Sequence, residues 1–123
     1  MKKTKVMIVE DDTEFANEIK ETLVLSGYES EICSDGETAL KKVKKTNPGV
    51  ILLDIKMPGI SGLEVAWKLK RDRETAKIPI VAVSAFYIER ETLRICGIDT
   101  HLMKPFNPLD VISKIEAVIE NGR

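Results

Sequence analysis

Glu10, Asp11, Asp54, Ser84 and Lys104 are the residues of this sequence whose types suit a common chemistry, and Asp12 adjoins the first pair. Carboxylates brought close together repel one another and hold protons more tightly than usual. A hard divalent cation relieves that crowding, and Mg²⁺ is commonly held by one or two carboxylates with waters and a substrate phosphate. A carboxylate such as Asp54 can also act as a nucleophile and form an aspartyl phosphate. The oxygens of an incoming phosphoryl group then need countercharge, which a metal, an ammonium such as Lys104 and a hydroxyl such as Ser84 supply. Taken singly, each residue has a plainer reading. Acids after a strand cap the next helix, a Ser at the same place caps a turn, Asp54 stands shortly before the turn-forming Pro58, and a Lys before proline is an ordinary surface residue. The chemical reading rests on all of them falling at one kind of position.

That position is set by the elements around them. Val6-Met7-Ile8-Val9, Val50-Ile51-Leu52-Leu53 and Ile80-Val81-Ala82-Val83 are unbroken apolar runs, the signature of strands buried on both faces. Tyr28 to Cys33 and Thr100 to Met103 are more polar, as edge strands are. Between them the spacing predicts helices over about 13–25, with Phe15, Ile19 and Leu23 on one face, and over about 37–45, with Ala39, Leu40 and Val43 inward. Further helices are expected over about 62–70, 88–95 and 108–120. The stretch 88–95 has the poorest amphipathic pattern. Five strands alternating with five helices predict an α/β fold, a doubly wound, flavodoxin-like parallel sheet in the order 2-1-3-4-5. In such sheets ligands bind outside the carboxyl ends of the strands where the order reverses. Every residue of the chemical set follows a strand, so the set is expected to converge in the cleft between the first and third strands.

Composition narrows the alternatives. With 123 residues, a single domain over 1–123 is expected, large enough for a true core. Nineteen basic residues face 20 acidic ones, and the lysine pairs are balanced by neighbouring acids, so direct nucleic-acid binding is not expected. No apolar stretch nears the roughly 18–20 residues of a membrane span, and Met1-Lys2-Lys3 does not open a signal peptide; a cytoplasmic protein is expected. Cys33 and Cys96 share no metal or redox spacing and read as buried hydrophobes. Trp67, four residues before Arg71, reads as a packing or surface residue.

The same segments resemble the receiver family of response regulators in two-component signalling, and the likeness runs from Val6 into the last helix. Glu10-Asp11 resembles the family's acidic pair, and Leu53-Asp54-Ile55-Lys56-Met57-Pro58-Gly59, with Gly62, its phosphoacceptor loop. Val83-Ser84-Ala85 resembles its hydroxyl-bearing strand end, and Lys104-Pro105-Phe106 its Lys-Pro signature. The resemblance implies that Asp54 takes a phosphoryl group from a phosphohistidine on a sensor histidine kinase or histidine phosphotransfer protein. It further implies Mg²⁺ held by Asp11, Asp54 and the Lys56 carbonyl, with Glu10 acting through water, and Asp12 left as a helix cap. Lys104 would contact the phosphoryl oxygens, Ser84 would swing toward them, and the Lys104-Pro105 bond would be cis. Ser84 movement is expected to alter the face made by the fourth helix, fifth strand and fifth helix, and so to control a downstream protein target. A monomeric, single-domain switch of the chemotaxis or sporulation type is expected, one that is not an enzyme beyond self-catalysed transfer and dephosphorylation.

The sequence departs from the family pattern where the switch is tuned. His101 stands at the aromatic position three residues before Lys104. It reads equally as a titratable switch residue and as an edge-strand surface residue. Lys56 and Phe86, two residues beyond Asp54 and Ser84, stand where the family tunes access of hydrolytic water, so the resemblance implies that a bulky Phe86 slows the loss of phosphate. Three rival functions are weaker. A non-phosphorylated docking module would have lost a core site residue; a small-molecule phosphatase needs a pocket or cap; a flavin carrier would not place Glu10-Asp11-Asp12 against a cofactor phosphate. An N-terminal receiver taken from a DNA-binding transcriptional regulator remains the alternative to a stand-alone form.

Overall fold

The computed structural model describes residues 4–121. Met1–Lys3, on which the expectation about a leader rests, and Gly122–Arg123 lie outside the described residues. The elements run β1 (Lys5–Val9), α1 (Thr13–Leu25), β2 (Glu29–Cys33), α2 (Gly36–Thr46), β3 (Val50–Asp54), α3 (Gly62–Arg71), β4 (Ile80–Ser84), α4 (Arg90–Cys96), β5 (Thr100–Met103) and α5 (Pro108–Asn121). All strand pairs are parallel, and the sheet order is β2-β1-β3-β4-β5, as the strand composition predicts.

Alternation along the strands divides the core into two layers. Met7, Val9, Ile51, Leu53, Ile80 and Ala82 face α2, α3 and α4. Val6, Ile8, Val50, Leu52, Val81 and Val83 face α1 and α5. The three apolar runs are the central strands, and β3 and β4 are buried along their whole length. β2 and β5 are the edges and are only partly covered. Cys33 and Cys96 are buried free thiols. No helix among the described residues is long and apolar enough to cross a membrane.

The helix boundaries follow local chemistry. Asp12 caps α1 by accepting from the Phe15 amide at 3.2 Å, Asp35 caps α2 through the Thr38 amide at 2.7 Å, and Ser61 caps α3 through the Glu64 amide at 3.2 Å. α4 departs most from its sequence reading. It is short and starts at Arg90 rather than near Ile88 because Ile88 is drawn into the α2–α3–α4 core layer as part of the approach loop. Its N-cap, Glu89, makes no capping bond, and Gly97 ends it with φ 73°. Trp67 lies on the surface of α3 with the Arg71 guanidinium 4.4 Å above its ring, a cation–π contact one helical turn apart.

Candidate functional site at the carboxyl ends of the strands

Because β1 and β3 are neighbours whose connecting helices leave on opposite faces, the residues after their last turns share one cleft. Glu10 follows β1, and its amide donates to the Cys33 carbonyl at 3.0 Å. Asp54 is the last residue of β3. Both carboxylates are almost wholly buried, at 4% and 5% exposure, while Asp11 is exposed. One carboxylate oxygen from each of Glu10, Asp11 and Asp54 lies within 4.8 Å of the others. That spacing suits a divalent cation with oxygen ligands.

The electrostatics agree with a crowded anionic site. Glu10 is pushed up to about 7, chiefly by burial and then by the hydrogen bond it shares with Asp54; the Asp12 amide and Lys104 act in the opposite sense. The Asp12 amide donates to Glu10 Oε2 at 3.1 Å, and the Lys56 amide donates to Asp54 Oδ1 at 3.2 Å. Burial and the neighbouring Asp54 thus favour the protonated form of Glu10 when no cation compensates the pair.

Lys104 reaches this pair from the loop after β5. Its Nζ lies 3.4 Å from Glu10 Oε1 and 3.5 Å from Asp54 Oδ2. Its backbone is tied to the sheet, the amide donating to the Ser84 carbonyl at 2.7 Å, and the Lys104-Pro105 bond is cis. Side chains from the ends of β1, β3 and β5 thus meet in one place.

Ser84 is at the end of β4 but turned away from Asp54. Its hydroxyl donates to the Phe86 carbonyl, and His101 Nε2 is 2.8 Å from the same oxygen. Since the one hydroxyl proton goes to Phe86, the hydrogen-bond network assigns the His101 proton to Nε2, which donates to Ser84 Oγ. His101 is therefore partly buried and bonded to Ser84, not a free edge-strand side chain. Burial, and then the charge of Lys114 on α5, hold its pKa below 6.5. Phe86 itself is exposed beside the cleft.

Asp54 is held in place by close packing behind it. The Gly62 amide donates to the Ile55 carbonyl at 2.8 Å, bringing the start of α3 against the end of β3. A Cβ on Gly62 would lie 2.6 Å from Ile55 Cα and closer still to the Asp54 carbonyl oxygen. Both are backbone atoms that cannot move aside, so Gly62→Ala is expected to destabilise the fold by about 1–3 kcal/mol in a urea unfolding series. A loss below about 0.5 kcal/mol, the scale of a neutral surface change, would contradict this account of Gly62.

Two contacts escape the sequence reading. Phe15, read only as an inward residue of α1, has the Lys104 ammonium 4.8 Å from its ring centroid. Phe106 meets the same ring edge-on, with centroids 5.5 Å apart and planes inclined by 62°. The available signal was position: Phe15 falls in the first turn of a helix that begins at the carboxyl end of β1.

Comparison with known proteins agrees with this geometry. The response regulator receiver domain model matches residues 6–116. The polar-differentiation response regulator DivK of Brucella ovis is 35% identical over 93% of this chain and 94% of its own length. The phosphate regulon transcriptional regulatory protein PhoB of Pseudomonas aeruginosa is 33% identical over 93% of this chain, which spans about half of that relative, 51%. Among solved structures, chemotaxis protein CheY4 of Vibrio cholerae superposes with a TM-score of 0.90 at 28% identity, covering 95% of this chain and 99% of that one.

Proposed function

The chain belongs to the response regulator receiver domain family, and from that premise we propose that it is a phosphorylation switch whose acceptor is Asp54. The observation that carries the reading is the convergence of three carboxylates and the Lys104 ammonium outside β1 and β3. In the proposed step a carboxylate oxygen of Asp54 attacks the phosphorus of a phosphohistidine on a sensor kinase or phosphotransfer protein. The P–N bond breaks, the imidazole leaves and takes up a proton, and an acyl phosphate remains on Asp54. Lys104 offers its protons to the phosphoryl oxygens and offsets their charge.

Asp11, Asp54 and the Lys56 carbonyl are the residues that would hold Mg²⁺, with Glu10 acting through water. The crowded carboxylates of Glu10, Asp11 and Asp54 fit such an ion. Bound there, it would supply charge neutralisation for both the carboxylates and the phosphoryl oxygens. Glu10 has its pKa raised in the folded state, from 4.5 to about 7. Its contribution to stability is therefore full below the unfolded value and lost as pH rises through about 7. A cation at the site offsets that loss. Mg²⁺ is accordingly expected to raise the unfolding temperature more at about pH 8 than at about pH 5.5; equal shifts would count against carboxylate ligation.

After transfer, the Ser84 hydroxyl turns from the Phe86 carbonyl to a phosphoryl oxygen, and His101 loses its partner on β4. This links the site to the α4–β5–α5 face and to a downstream protein target. Phe86 covers the approach of hydrolytic water, and Lys56 flanks it on the other side. Phe86→Ala is expected to shorten the acyl-phosphate lifetime several-fold, about three- to tenfold if the ring accounts for about 1 kcal/mol of barrier. Decay followed by intact mass checks this, and an unchanged lifetime removes Phe86 from that role.

A cytoplasmic, monomeric, single-domain signalling protein is the leading form, a switch rather than an enzyme with a released product. The second reading, the receiver of a longer transcriptional regulator, is favoured by the match to half of PhoB. Coding sequence past Arg123 that specifies a DNA-binding domain would select it. The function itself is tested by incubating the protein with acetyl phosphate, with and without Mg²⁺, and taking intact masses. Uptake of one phosphoryl group only with Mg²⁺ is expected. No uptake from acetyl phosphate or from a cognate kinase would overturn the reading in favour of a docking module.

A further inference from the structure

Lys104 has little to hold its ammonium in place through the carboxylates alone. Its contacts to Glu10 and Asp54, at 3.4 and 3.5 Å, are longer than the usual range for charged hydrogen bonds. The side chain is 29% exposed and hangs on a flexible four-carbon stem. The third contact is the Phe15 ring, whose centroid is 4.8 Å from Nζ, well inside the reach of a cation–π interaction.

That ring is itself fixed from three sides. Its backbone amide donates to the Asp12 cap at 3.2 Å. Phe106, two residues after Lys104, packs against it edge-on at 5.5 Å, the arrangement aromatic pairs favour. Both rings sit on the apolar layer beneath α1 and α5. The ring thus joins the first turn of α1 to the loop that carries Lys104.

We propose that Phe15, braced by Phe106, is a positioning residue that holds the Lys104 ammonium over Asp54. The proposal rests on the reading of Asp54 as phosphoacceptor. The ring covers one side of the ammonium and leaves its contacts to the carboxylates long, so its protons remain available to phosphoryl oxygens. A merely structural Phe15 would instead be replaceable by any apolar residue of similar reach.

Leucine and tyrosine separate the two roles. Leucine keeps the apolar contact with the core layer but removes the π face; tyrosine keeps both. The readouts are the proton shifts of the Lys104 ε-methylene group, recorded without phosphodonor, and the rate of uptake from acetyl phosphate, a donor too small to depend on a docking surface. In the wild type those protons are expected upfield from the ring current of Phe15. Phe15→Leu should return them toward the free-lysine position and slow uptake by about threefold to tenfold, while Phe15→Tyr stays within about twofold of wild type on rate and keeps the upfield shift. Thermal unfolding of each variant shows that it is folded when assayed. An upfield shift that survives in Phe15→Leu, a leucine variant as fast as wild type, or a tyrosine variant as slow as leucine would each overturn the proposal. A wild type that takes up no phosphoryl group would overturn the acceptor reading first, and the positioning role with it.

Discussion

Asp54→Asn is expected to take up no phosphoryl group while unfolding at a temperature no lower than the wild type. Asparagine has nearly the same shape and can still accept the Lys56 amide hydrogen bond that Asp54 Oδ1 now accepts at 3.2 Å. Its amide oxygen is no nucleophile toward phosphorus. The stability half of the expectation follows from the cleft. Asp54 is buried beside Glu10 and raises its pKa both by sharing a hydrogen bond and by its charge. Removing one of two crowded carboxylates relieves that repulsion, and the gain should be greatest above about pH 7, where Glu10 is ionised. The lost contact is a 3.5 Å approach of the Lys104 ammonium, long for a charged hydrogen bond. Intact mass after acetyl phosphate treatment reads the first half; thermal unfolding without Mg²⁺ reads the second. An asparagine variant that still takes up phosphate would move the acceptor elsewhere. One that unfolds well below the wild type would mean that Asp54 is a structural residue.

Leu53→Ala is the largest stability loss expected. Leu53 is fully buried in β3, in the layer packed under α2, α3 and α4, and it adjoins Asp54 in the chain. Truncation removes its transfer free energy and leaves a cavity that a sheet hydrogen-bonded on both sides can only partly close. The expected cost is about 2–5 kcal/mol, a large share of the roughly 5–15 kcal/mol that stabilises a domain. Leu109, at 64% exposure, provides the control: Leu109→Ala should fall within about 0.5 kcal/mol of wild type. Urea unfolding midpoints at constant slope give both values. Similar losses at the two positions would contradict the placement of the core.

The sheet was legible because its central strands could not be anything else. Val50 to Leu53 and Ile80 to Val83 leave no polar face, so each must be buried on both sides, and the polar β2 and β5 then fall to the edges. The carboxylate cluster followed from that order, since the strand ends at Glu10 and Asp54 are brought together only when β1 and β3 are neighbours. α4 was less legible. Its start depends on Ile88 being pulled into the core, a tertiary effect that helical periodicity does not register. Phe15 and Lys104, far apart in sequence, meet through two loops whose paths no local pattern encodes. His101 was read two ways because only the fold shows what its ring nitrogen reaches, and that is Ser84 at 2.8 Å. Lys70, an unremarkable helix lysine in the sequence, donates to the Ala76 and Ile78 carbonyls at 3.0 Å each and anchors the loop into β4.

The central claim is that the phosphoryl group goes to Asp54. Reducing the phosphorylated protein with borohydride converts an acyl phosphate on aspartate to homoserine, which tandem mass spectrometry of the peptides can place. Homoserine at position 54, formed only after treatment with donor and Mg²⁺, is the result this account predicts. A reduced carboxyl at position 10 or 11 instead, or phosphate retained on Ser84, would contradict it.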